Sequence, residues 1–137
     1  ASLAAAWSGD EIDLVDVPVQ GWSPQATIHF INSLPTDLST EKLGELDSAW
    51  GLSETSNAEI GRTWFIQVAT RRYTEVYEQM EAHLNRFGRG RLIAPVYRAL
   101  ASNGEDRELA QEMFERARDA YHPISAGWIE SFMYVHD

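Results

Sequence analysis

Helix-breaking residues recur along this chain at intervals that leave room for one short helix at a time, and this punctuation constrains the fold more than any other feature. Ser23-Pro24 supplies an N-cap with Pro at the first helical position, and Ile28, Ile31 and Leu34 follow at helical spacing until Pro35. Ser39 or Thr40 caps a second helix that carries Leu43, Leu46 and Trp50 on one face and has Gly51 just past its end. Asn57 opens a third with Ile60, Trp64 and Val68 at four-residue intervals. Thr74 opens a fourth, with an apolar stripe of Val76, Tyr77, Met80, Leu84 and Phe87 that ends at Gly88. Pro95 disfavours helix at Ala94, so the fifth is expected to begin near 94 and run through Val96, Tyr97 and Leu100, with 88–94 mostly turn. Asn103-Gly104 breaks the chain, Asp106 is placed to cap a sixth with Leu109, Met113, Phe114 and Ala117 inward, and His122-Pro123 restarts a seventh through Trp128 and Phe132.

Alternate starts lie 34, 35, 37 and 32 residues apart, close to the period of helical-hairpin repeats. The expected fold is therefore all-α: a two-layered right-handed α-α superhelix of about seven helices, an armadillo- or HEAT-like solenoid, with an irregular helical bundle as the alternative. The residues that mark tetratricopeptide or ankyrin repeats are absent, so the repeat is structural only. Ile12, Leu14, Val17 and Val19 could mark a strand in the acidic stretch from Ser8 to Gly21, but nothing pairs with it, and it reads as an extended linker. The helix-favouring opening, Ala1 to Trp7, lacks an N-cap and is either the end of an incoming helix or a processed terminus. The organisation expected is 1–22 as helix end plus linker and 23–137 as the helical domain.

With 137 residues the chain has length for a single core, and 44% hydrophobic content is enough to build it. A net charge of -10 repels phosphate backbones and anionic lipid, which argues against nucleic acid and membrane as partners. No cysteine is present, so there is no disulfide framework, thiolate metal site or thiol nucleophile. The four histidines, at 29, 83, 122 and 136, form no His-Glu-x-x-His. His83 reads as a surface or core-edge residue and His122 as a turn or N-cap residue. The acid pairs Asp13/Asp16 and Glu78/Glu81 read as solvated surface. No catalytic residue and no metal ligand set is found.

One local anomaly stands against the acidic background. Arg86, Arg89, Arg91 and Arg98 fall within thirteen residues, while Lys42 is the only lysine anywhere. Arginine presents a planar fork that holds a carboxylate with two parallel hydrogen bonds, and Gly88 and Gly90 let backbone approach a ligand. The cluster is either an anion site or a set of ion pairs with neighbouring helices that also neutralise the C-terminal end of the fourth helix.

Asn57-Ala58-Glu59-Ile60-Gly61-Arg62-Thr63-Trp64, then Gly88-Arg89-Gly90-Arg91 with Pro95 four residues on, then Tyr121-His122-Pro123-Ile124-Ser125-Ala126 resemble, in order and spacing, the C-terminal domain of the leukotriene A4 hydrolase family of zinc aminopeptidases. The resemblance covers nearly the whole chain, and Trp7 with the acidic stretch after it looks like that family's helix leaving the catalytic domain. It implies a helical domain in two layers and a zinc-bearing catalytic domain with His-Glu-x-x-His upstream of residue 1, so that this chain alone holds no cofactor and is inactive. It further implies that Arg89, with a basic residue two positions on at Arg91, binds the carboxylate of a short peptide substrate; better-known members carry Lys at the second position. The partners implied are the catalytic domain of the same polypeptide and the peptide, and a cytoplasmic location is expected. A free-standing helical-repeat module that binds a peptide or protein is the alternative.

Overall fold

The structure, a computed structural model, describes residues 7, 9, 23–35, 38–87 and 89–133. The linker residues other than Gly9, the acid pair Asp13/Asp16, the stop at Gly88 and His136 lie outside them. Among the described residues seven α-helices are bounded and no strand occurs: α1 Pro24–Asn32, α2 Thr40–Trp50, α3 Ala58–Thr70, α4 Tyr77–Arg86, α5 Gly90–Ser102, α6 Arg107–Ala117 and α7 Pro123–Met133. The all-α class expected from punctuation is what forms. The chain divides into two compact units, one ending at Trp64 and one beginning at Phe65, with the division inside α3.

In the first unit the caps act where the residue types place them. Ser23 Oγ accepts from Ala26 N at 3.2 Å and Ser39 Oγ from Lys42 N at 3.2 Å. Gly51 takes the left-handed conformation that ends α2, at φ 63°. Asn57 Oδ1 accepts from both Glu59 N and Ile60 N at 3.0 Å, starting α3. Phe30, Ile31, Leu43, Leu46 and Trp64 are buried, and Trp7, itself helical, is 2% exposed with Phe30 at 6.2 Å between ring centroids. Its indole face carries Lys42 Nζ at 5.0 Å. Trp64 Nε1 donates to Ser53 Oγ at 2.9 Å, and Ser53 Oγ donates in turn to Asp47 Oδ2 at 2.8 Å, so the one polar atom of the buried indole is satisfied.

In the second unit α5 is the central element, packed on both α6 and α7, while α6 also meets α4 and α7. Ile93, Val96, Tyr97 and Leu100 of α5, Met80 and Leu84 of α4, Phe114 of α6 and Ile129 and Met133 of α7 have no exposed surface. Burial of each such side chain contributes about 1.5 to 3 kcal/mol.

Two expectations are corrected here. The fifth helix begins at Gly90, not near 94, and Pro95 lies inside it. An internal proline costs about 3 kcal/mol through the lost donor and ring clash, but Leu92, Ile93 and Ala94 are 6%, 0% and 1% exposed, and the burial of that extra turn offsets the cost. Asp106 precedes α6 but its side chain makes no capping bond. Its carboxylate is buried and used elsewhere: Arg72 Nε and Nη2 donate to its two oxygens at 2.9 and 3.2 Å, and Tyr77 Oη donates at 3.1 Å. Arg72 stands at φ 53°, the left-handed position of a helix end in which Tyr73 N bonds Val68 O at 3.0 Å and Arg72 N bonds Ala69 O at 3.3 Å. Glycine is the ordinary residue there; the ion pair with Asp106 is what arginine supplies instead.

Candidate functional site

The second and third of the motifs that carried the resemblance meet in space. Arg89 is the N-cap residue of α5, in extended conformation, and an arginine cannot cap: its side chain makes no bond to the first turn. The first amide of the helix, Gly90 N, is instead satisfied by Ser125 Oγ of α7, 35 residues downstream, at 3.1 Å. Ser125 is held in the first turn of α7, where His122 acts as the cap, its Nδ1 accepting from Ile124 N at 3.1 Å and its carbonyl from Ala126 N at 3.0 Å. Trp128, one turn on, lies against Gly90 so closely that a Cβ there would stand 2.8 Å from indole Cε3 and 3.0 Å from Cζ3. Gly90 is thus required by close packing rather than by its backbone angles.

The four arginines divide. Arg86 lies over the Phe87 ring at 5.2 Å and Arg98 over Phe132 at 4.6 Å, so both are engaged with aromatic faces. Arg89 and Arg91 are exposed at the start of α5, whose first turn contains no acidic residue. Among the described residues the Arg89 side chain has no ion pair or hydrogen bond. The partial positive charge of a helix N-terminus disfavours a cation by a few tenths to about 1 kcal/mol and favours an anion by as much. Fold stability therefore does not explain Arg89 in this place, while an anion brought to it gains from both charges.

The second unit also holds a buried hydrogen-bonded chain. Tyr121 Oη donates to Leu84 O at 2.6 Å, one of the last carbonyls of α4, and stands 2.8 Å from Tyr97 Oη. Because the single Tyr121 proton is committed to Leu84, Tyr97 is the donor in the second bond. Burial pushes the Tyr121 phenol up to about 12 and raises that of Tyr97 further, so both stay neutral. His83 is 6% exposed, flanked by Phe65 at 5.3 Å and Phe87 at 5.0 Å, with Nε2 at 3.3 Å from Leu92 O. Its neighbour being a carbonyl, Nε2 carries the proton. Burial, with the charge of Arg86 added, holds its pKa below the ordinary imidazole range. It is a core residue, more deeply set than a core-edge position, and it joins α4 to the first turn of α5.

The role of His122 is legible in the sequence; the Ser125–Gly90 bond and the seat of Trp128 are not. With α5 expected to start near 94, no uncapped amide at Gly90 was there to be noticed. The remaining motif, from Asn57 to Trp64, lies in the first unit, where Asn57 caps α3 and Arg62 Nη2 stands 3.5 Å from Glu59. Glu81 of the pair Glu78/Glu81 is held by Arg116 across α4 and α6, at 2.7 and 3.0 Å.

Residues 22–133 match the family described as leukotriene A4 hydrolase, C-terminal. The chain is 29% identical to leucine aminopeptidase 2 of Neurospora crassa over 98% of this chain and 20% of that protein. It is 35% identical to leucine aminopeptidase 2 of Kluyveromyces lactis over 81% of this chain and 16% of that protein. It is 26% identical to a leukotriene A-4 hydrolase homolog of Botryotinia fuckeliana over 94% and 20% respectively. The chain spans about a fifth of the length of the curated relatives it matches. A match that runs across both motifs meeting at Gly90, and across nearly every helix, places the chain in the leukotriene A4 hydrolase C-terminal domain family.

Proposed function

We propose that this chain is the helical C-terminal domain of a zinc-dependent aminopeptidase, that it packs on the catalytic domain of the same polypeptide, and that Arg89, with Arg91, binds the carboxylate end of short peptide substrates. The observation that carries the reading is Arg89 itself, a cation at the positive end of α5 with no anionic partner among the described residues. Two relatives named leucine aminopeptidase 2 support the reaction class. Ile124 and Trp128, one turn apart on α7 and 77% and 46% exposed, offer apolar surface of the kind a packing partner covers. The two-layered right-handed superhelix and a cytoplasmic location belong to the same reading; among the described residues no helix is long and apolar enough to cross a membrane.

Among the described residues no three His, Asp or Glu come together as metal ligands, and His83 gives its Nε2 proton to a backbone carbonyl between two phenylalanine rings. The zinc of the proposal belongs to the catalytic domain, where it would supply the Lewis acid and activated water for peptide hydrolysis.

An enzyme that removes the first residue of a short peptide gains orientation by holding the far end, since fixing both ends restricts the scissile amide. A charge-assisted hydrogen bond contributes about 1.5 to 3 kcal/mol, which is about ten- to hundredfold in kcat/KM. Arg89→Ala in the full-length polypeptide should therefore lower kcat/KM on tripeptides by that factor and leave aminoacyl anilides, which lack the carboxylate, nearly unchanged. Equal losses on the two substrate types would show that Arg89 does not act through the carboxylate.

A further inference from the structure

Arginine at the N-cap of α5 breaks two local rules at once. It removes the side chain that would satisfy the first amides, and it sets a cation against the positive end of the helix. Natural chains break such rules mainly where function requires it and compensate elsewhere. The compensation here is visible: Ser125 Oγ takes the Gly90 amide at 3.1 Å, and the Trp128 ring closes over the same glycine within the space a Cβ would need. Both come from the first turns of α7, and α7 is itself anchored beneath by Ile129 and Met133, which have no exposed surface. The backbone that carries Arg89 into α5 is therefore held from a second helix, at the amide next to the arginine.

We propose that Ser125 is a positioning residue for substrate binding: by capping Gly90 from α7, with Trp128 seated on that glycine, it fixes the backbone at Arg89 and so the point from which the guanidinium reaches the peptide carboxylate. This rests on the carboxylate-binding reading of Arg89. A backbone already fixed at Arg89 leaves less to order when the peptide binds, which strengthens ground-state and transition-state binding alike and so appears in KM. It also explains why the arginine motif and the Tyr121-to-Ala126 motif go together in one chain although 35 residues separate Gly90 from Ser125.

The experiment is steady-state kinetics of the full-length polypeptide with a free-carboxylate tripeptide and an aminoacyl anilide. Ser125→Ala is expected to raise KM for the tripeptide about fivefold, the effect of one lost hydrogen bond, with kcat unchanged and the anilide unaffected. Ser125→Thr, which keeps the hydroxyl, should restore KM. On an Arg89→Ala background, Ser125→Ala should add nothing further. If Ser125→Ala matches the parent on the tripeptide, or weakens both substrates equally with a lowered melting temperature that Thr does not rescue selectively, Ser125 is structural and the proposal fails while Arg89 keeps its role. If Arg89→Ala shows no preference for the tripeptide, the carboxylate reading fails and the positioning role with it. Should Ser125→Ala not fold, Gly90→Ala tests the same seat by driving a Cβ into Trp128, with the same selective rise in KM expected and its absence refuting.

Discussion

Removal of the Tyr121 hydroxyl should cost the second unit more than removal of the Tyr97 hydroxyl, although the two phenols touch each other. Tyr97 Oη donates to Tyr121 Oη, 2.8 Å away, and Tyr121 Oη donates to Leu84 O at 2.6 Å; the rings are 0% and 6% exposed. Tyr121→Phe strands two buried groups, the Leu84 carbonyl and the Tyr97 hydroxyl, neither of which water can reach. At about 1 to 3 kcal/mol for each unsatisfied group, the expected loss is about 2 to 6 kcal/mol. Tyr97→Phe takes away only a donor; Tyr121 keeps its bond to Leu84 and loses one of its accepted partners, for about 1 kcal/mol. The double replacement leaves only Leu84 O unpaired, so its cost should fall below the sum of the two by about 2 to 4 kcal/mol. Urea unfolding at pH 7, followed by far-UV circular dichroism with a common slope, measures all three. Both phenols are raised well above pH 7, so the chain of bonds is intact under these conditions. A Tyr97→Phe variant as damaged as Tyr121→Phe, or costs that simply add, would refute the direction assigned to the bonds.

Two further outcomes test other parts of the second unit. His83 is buried neutral with a pKa below its ordinary 6.5, so the unfolded chain binds the proton more readily; the stability it contributes is full above about pH 6.5 and declines as pH falls below that value. His83→Phe should therefore flatten the fall in melting temperature between about pH 7 and 5, and an unchanged slope would count against a buried neutral imidazole. Pro95→Ala restores an amide donor inside α5 and should raise stability by about 1 kcal/mol, less than the full proline cost because the native turn has already adjusted. Urea midpoints decide this, and a loss on replacement would mean that the pyrrolidine ring is packed to advantage.

The legible part of the fold followed from residues that act on their immediate neighbours. Ser23-Pro24, Ser39, Gly51, Asn57 and His122-Pro123 each mark a boundary the structure keeps, because capping and left-handed turns are settled within four residues. The misjudged boundary, at α5, was one where the local signal of Pro95 was opposed by burial of Leu92 and Ile93, a contribution that exists only once other helices are present. Asp106 followed the same logic: it has the right chemistry for a cap, and a buried partnership with Arg72 and Tyr77 claims it first. Nothing nearby announces the left-handed Arg72, since the carboxylate that rewards arginine there lies 34 residues on.

At the candidate site the division is the same. The sequence alone determined that the chain is helical and that it carries a concentrated set of arginines against a charge of -10, among which the family resemblance points to Arg89 and Arg91. Only the tertiary structure separated Arg86 and Arg98, spent on the rings of Phe87 and Phe132, from Arg89, left at an uncapped helix start with Ser125 supplying the missing acceptor. Residue type and spacing set what a side chain is able to bind; which partner reaches it first depends on helices brought together from distant parts of the chain, and local pattern carries no record of that approach.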